Sequence, residues 1–150
     1  MKTRLDALRG LIAEQGLDCL IVSQPENRRY MSGFSGSAGL LLISAENALI
    51  LTDFRYYTQT ARQAPDYTLV PVSSRTEETL AQTIAAHGWR SVGLEKHDVT
   101  LETFELWRVA ASGVDWAPTK GLVESLRQRK DEGELQLIRE AVRIADEAMQ

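Results

Sequence analysis

The sequence predicts a layered α/β domain, because segments with helical spacing of apolar residues alternate along the chain with short strand-like apolar runs. Two further observations fit a single domain of this kind. A length of 150 residues with 43% hydrophobic content is enough for a sizeable core, and no repeat or low-complexity tract breaks the alternation.

Each element follows from a local signal. Leu5, Leu8 and Ile12, with Leu11 beside them, form a helical stripe that Gly16 stops. Cys19-Leu20-Ile21-Val22 reads as a buried strand. Pro25 opens a short helix through Tyr30, and Gly33 to Gly39 form a bend. Leu40 to Ile43 and Ala48 to Thr52 flank Ala45-Glu46-Asn47 and read as an antiparallel hairpin. Thr52 or Asp53 caps a helix that runs through Tyr57 and Ala61 until Pro65 ends it. Tyr67 to Val72 is strand-like. Ser74 and Glu77 have the spacing of a capping box before Leu80, Ala81, Ile84 and Ala85, and that helix ends near Gly88.

Val92 and Leu94 mark another strand, Thr100 caps a helix bearing Leu101, Phe104, Trp107 and Ala111, and Val114 to Ala117 form a last strand bounded by Gly113 and Pro118. A turn of helix follows around Leu122 to Leu126. Asp131 and Glu134 form another capping box. Beyond them Leu135, Ile138, Val142, Ala145 and Met149 recur at steps of three and four with no closing glycine, asparagine or proline. This helix is expected to be cut short at Gln150 and to lack its full partner surface within the chain.

Charge and cysteine content narrow the function. The net charge of −4, from 17 basic and 21 acidic residues without a basic run, argues against nucleic acid as the main partner and offers no polybasic membrane patch. No apolar stretch approaches the ~20 residues needed to span a bilayer, so no membrane partner is expected. The single cysteine, Cys19, has no internal disulfide partner, and the first twenty residues alternate charge with leucine instead of forming a signal-peptide core. A cytoplasmic location is expected.

The stretch from Asn27 to Tyr57 carries a specific pattern. Tyr30-Met31-Ser32-Gly33-Phe34-Ser35-Gly36-Ser37-Ala38-Gly39 is followed by Leu51-Thr52-Asp53-Phe54-Arg55-Tyr56, and Arg127, Lys130, Asp131, Glu134, Leu135, Ile138, Arg139 and Ala141 form a second spaced set. Together, in this order, they resemble the N-terminal domain of the creatinase, prolidase and Xaa-Pro aminopeptidase family. The resemblance covers the whole chain. It implies a three-layer α/β domain with a mixed central sheet flanked by helices, similar to the ribonuclease H-like motif. It also implies a creatinase/prolidase N-terminal domain over residues 1–130, with residues 131–150 beginning the first helix of a C-terminal pita-bread catalytic domain.

For the complete protein the resemblance implies a metallopeptidase, a proline-specific Xaa-Pro aminopeptidase or Xaa-Pro dipeptidase (prolidase). Two divalent metals, manganese, cobalt or zinc, would activate a water to attack the bond before proline. Their ligands, two aspartates, a histidine and two glutamates, would lie beyond Gln150, so this chain is expected to hold no metal and no catalytic residue and to be inactive alone. Its expected partners are a peptide with proline at the second position, its own catalytic domain, and a second copy in a homodimer. Its expected role is to shape substrate access and support oligomerisation. Two alternatives share the domain: a creatinase-type amidinohydrolase and a non-enzymatic binding relative.

Rival chemistries fit the residues poorly. Gly33, Gly36 and Gly39 do not have the spacing of a dinucleotide loop, and no lysine follows as a phosphate loop requires. Gly33-Phe34-Ser35-Gly36-Ser37 misses the nucleophile elbow of serine hydrolases by its last residue. These glycines read as a structural bend. His87 sits at a helix end, His97 lies beside Asp98, and Cys19 lies in an apolar strand, so none reads as a metal ligand. In Asp53-Phe54-Arg55-Tyr56, Asp53 is expected to cap a helix. The resemblance implies that Phe54, Arg55 and Tyr56 border a neighbouring active site as substrate-binding residues, Arg55 meeting a peptide carboxylate with its planar guanidinium.

Overall fold

The computed structural model describes residues 2–149. Its elements are α1 (Lys2–Glu14), β1 (Cys19–Val22), α2 (Pro25–Ser32), β2 (Leu40–Ser44), β3 (Ala48–Thr52), a 3-10 turn (Phe54–Tyr56) leading into α3 (Tyr57–Gln63), β4 (Thr68–Pro71), α4 (Thr76–His87), β5 (Ser91–Glu95), α5 (Leu101–Ala110), β6 (Asp115–Thr119), α6 (Leu122–Arg127) and α7 (Glu132–Ala148). The strands form one sheet in the order β4-β3-β2-β1-β5-β6. β2 runs against both neighbours, while β3 and β4, and β1, β5 and β6, pair in parallel. The sheet is therefore mixed, as expected.

Strand pleating explains the three layers, because alternate residues of fully apolar strands face opposite sides. Leu20 and Val22 of β1, Leu41 and Ile43 of β2 and Ile50 of β3 pack with Leu5, Leu8 and Ile12 of α1, Met31 of α2 and Val123 of α6. Cys19, Ile21, Leu40, Leu42, Leu49 and Leu51 face the other way, against Leu80 and Ile84 of α4 and Trp107 of α5. Each such leucine or isoleucine contributes about 1.5–3 kcal/mol by leaving water. The two edge strands, β4 and β6, each contain a proline, Pro71 and Pro118, which removes a donor from an exposed edge and discourages further strand pairing.

Several boundaries differ from the sequence reading by one or two residues, and three differences have a local physical reason. Pro118 lies inside β6 and does not bound it, a position an edge strand tolerates because one side of it has no ladder to complete. α4 begins one residue later than the Ser74/Glu77 spacing assumes. Its N-cap residue is Arg75, which makes no side-chain capping bond and instead pairs with Glu77 at 2.7 Å, so the capping box does not form. The segment after β3 is not one helix, since Asp53 caps the 3-10 turn and the α-helix begins only at Tyr57.

The expected capping box of α7 is present. Glu134 N donates to Asp131 Oδ1 at 2.9 Å, and Asp131 N donates to Glu134 Oε2 at 3.1 Å. Arg4 of α1 ties this end down, lying 4.0 Å above the Tyr30 ring and 2.5 Å from Asp131. Along the rest of α7 the apolar stripe is open, with Ile138, Val142 and Met149 all exposed. No helix among the described residues is long and apolar enough to cross a membrane.

Candidate functional site

Five strands share one direction, so their carboxyl ends gather on one edge of the sheet, where open α/β sheets commonly place their ligands. Ser23 follows β1, Asp53 follows β3 and Glu95 ends β5. The loop from Gly33 to Gly39 enters β2 at the same edge. Three of its carbonyls, those of Gly36, Ser37 and Gly39, accept from the buried Arg28 guanidinium, the shortest bond being 2.5 Å to Gly39. Gly33 closes α2 with φ of 82°, a left-handed conformation that only glycine takes without strain.

Glu95 organises the centre of this edge. It is buried, and its carboxylate accepts from Ser23 N at 2.7 Å, Gln24 N at 2.8 Å and Asn27 Nδ2 at 2.5 Å. Asn27 is fully buried; its amide nitrogen also donates to Glu124 Oε1 at 2.8 Å, and its oxygen accepts from Arg127 at 2.9 Å. One carboxylate thus joins β5, the turn after β1, α2 and, through Asn27, α6. Burial outweighs these hydrogen bonds and pushes the Glu95 carboxyl above its ordinary range.

This cluster was invisible in the sequence because its members are far apart. His97 Nε2 lies 3.0 Å from Glu124 Oε1 and 3.1 Å from Gln24 Oε1. Glu95, His97 and Glu124 place one ligand atom each within 4.8 Å of one another, the only such group among the described residues. Its oxygens already accept from Ser23, Gln24 and Asn27, so the group is built as a hydrogen-bonded latch between β5 and α6. His87 instead donates from Nδ1 to the Thr83 carbonyl, 2.9 Å away, and stacks on Trp89. Cys19 is buried in β1, where loss of solvation pushes its thiol well above the ordinary range.

On the same edge, after β3, the structure brings Asp53, Arg55 and Tyr56 together. Asp53 Oδ1 accepts from Arg55 N at 3.1 Å, which caps the 3-10 turn, and the carboxylate also takes Arg55 Nε at 2.8 Å and Nη2 at 2.9 Å. Tyr56 packs edge-on against Phe34, with ring centroids 5.7 Å apart, and its hydroxyl lies 2.6 Å from Ser37 Oγ. Phe54 projects outward and is 77% exposed. Capping and ion pairing therefore fall to the same carboxylate. Asp53 occupies only the Nε/Nη2 side of the guanidinium, so the end formed by Nη1 and Nη2 remains open to a second carboxylate.

Hydrogen bonds from the Arg55 side chain hold the Asp53 carboxyl down at about 2. Replacing Arg55 with alanine should therefore return Asp53 towards its ordinary value of 3.8, measurable as a shifted carboxyl titration by NMR. The stability the pair contributes is present above that ordinary value and is lost as pH falls through about 2.

Comparison with known proteins places this geometry. The family model described as the creatinase/prolidase N-terminal domain matches residues 4–129. The peptidase YqhT of Bacillus subtilis is 34% identical over 145 residues, which cover 97% of this chain and 41% of that protein. The solved structure of an Xaa-Pro dipeptidase from Bacillus anthracis matches 99% of this chain and 41% of its own, with a TM-score of 0.95 and 33% identity. The N-terminal domain of the cytoplasmic peptidase PepQ from Mycobacterium tuberculosis H37Rv matches 83% of this chain and 98% of its own, with a TM-score of 0.76 and 38% identity. The chain spans about two fifths of the first two relatives. A mixed six-stranded sheet with helices on both faces, together with these matches, shows that the chain belongs to the creatinase/prolidase N-terminal domain family.

Proposed function

We propose that the chain is the N-terminal accessory domain of a cytoplasmic, metal-dependent Xaa-Pro aminopeptidase or dipeptidase, and that it shapes substrate access and supports a homodimer. The relatives' names favour peptidase chemistry over an amidinohydrolase. In this reading residues 1–130 form the accessory domain, and residues 131–150 begin a catalytic domain whose surface covers the open stripe of α7. Manganese, cobalt or zinc would supply the activated water from that domain. The residues described here do not fit a two-metal centre, since their one close group, Glu95, His97 and Glu124, already accepts backbone and amide donors. No reaction step is assigned to this chain.

The observation that carries the substrate role is the half-used guanidinium of Arg55. Asp53 fixes its Nε/Nη2 side, Tyr56 lies beneath it with its ring centroid 5.5 Å away, and the free end can take a peptide carboxylate. Phe54 and Tyr56 would flank that carboxylate with apolar surface. In the full-length enzyme assayed on Xaa-Pro peptides with added Mn²⁺ or Co²⁺, Arg55→Ala should lower kcat/KM about tenfold, as expected for loss of a charge-assisted bond, with a small change in Tm. Arg55→Lys should recover part of the loss. Asp53→Ala should also lower kcat/KM, because it releases the guanidinium. Wild-type kinetics in Arg55→Ala with a lowered Tm would make the arginine a structural ion-pair partner only.

A further inference from the structure

We infer that the trench along α5 docks a cationic peptide segment that also bears apolar side chains. Three clefts of about 460, 350 and 280 Å³ follow this helix. The first two share Glu77 and Leu106, and the second and third share Leu40, Thr103 and Trp107, so they form one continuous groove.

The groove combines two features. Outside α7, the large apolar residues exposed among the described residues are Phe54, Leu101, Leu106 and Val109, of which Leu106 and Val109 line the groove side by side along α5. The walls also carry Glu77, Glu78, Glu102, Glu105 and Asp98, together with Asp53, whose carboxylate is already held by Arg55. Only two cations line it. Arg75 is already paired with Glu77 and Glu78, and Arg28 is buried beneath the glycine loop.

Glu102 and Glu105 have no cationic partner among the described residues, in contrast to Glu132, Glu140 and Glu147 of α7, which pair with Arg139 and Arg143. An occupant with lysine or arginine at the rim and apolar side chains on Leu106 and Val109 complements both features. A second copy docking through α7 does not, because that helix carries Glu132, Glu134, Glu140, Asp146 and Glu147 against two arginines. Docking is a property of this chain and does not depend on the peptidase assignment.

Fluorescence anisotropy on the intact 150-residue chain tests it, with a labelled short peptide of alternating lysine and leucine as the probe and its glutamate–leucine counterpart as control. The cationic probe should bind and the acidic one should not. Glu102→Gln with Glu105→Gln should weaken binding about five- to tenfold, and Val109→Ser about threefold, with circular dichroism unchanged. Glu140→Gln with Glu147→Gln removes the same charge from α7 and should leave binding within about twofold of wild type. Equal losses in the two double variants, no binding of the cationic probe, or a dimer by sedimentation that Val109→Ser dissociates would each overturn the inference.

Discussion

Replacing Glu95 with alanine is expected to destabilise the domain by roughly 2–4 kcal/mol and to lower Tm by about 5–15 °C, read by thermal circular dichroism. The cause is what the carboxylate leaves behind. Ser23 N, Gln24 N and Asn27 Nδ2 all donate to it, and the fully buried Asn27 amide has only Glu124 to turn to. An orphaned buried donor costs about 1–3 kcal/mol, partly offset here by relief of the charge that burial disfavours. Glu95→Gln keeps the shape and should cost less. The pH dependence separates charge from shape. Because burial raises the folded carboxyl above its unfolded value of 4.5, the stability linked to its proton is fully present below that value and is lost as pH rises through the raised folded one. The stability gap between wild type and Glu95→Gln should therefore narrow from acid towards neutral pH.

Glu95 also marks the boundary of what the sequence discloses. Strands such as Cys19–Val22 and helix ends such as Gly88 and Thr100 are legible because their signals are local: an apolar run, a left-handed glycine, a hydroxyl cap. The capping box at Asp131 is legible for the same reason. Ser74 and Glu77 show how narrow such a local signal is, since a one-residue shift in the start of α4 takes Ser74 out of the N-cap position and no capping box forms. The Glu95, Asn27, Glu124 and Arg127 network joins residues up to 100 positions apart, and no local spacing reports such a meeting. Asp53 and Arg55 are adjacent enough to read, yet only in the folded chain does one carboxylate both cap the turn and hold one side of the guanidinium.

Gly36→Ala is expected to cost about 1–3 kcal/mol, near the upper end, because the glycine is required by contact and not by conformation. A Cβ at this position would sit 2.2 Å from Phe34 Cζ and 2.8 Å from Tyr56 Cδ1. Neither ring can retreat cheaply. Phe34 is 1% exposed in the core, and Tyr56 is held edge-on against it and hydrogen-bonded to Ser37. The added methyl should therefore part the two rings, break the Tyr56 to Ser37 bond and shift the platform under Arg55. Thermal denaturation should register the lost stability, and near-UV circular dichroism should register the altered tyrosine packing. Phe34→Leu shortens the ring that obstructs the methyl, so the two substitutions together should cost less than the sum of their separate costs, by about 1 kcal/mol in a double-mutant cycle. Strict additivity would mean that the loop relaxes away from Phe34, and that Gly36 does not fix the position of Tyr56.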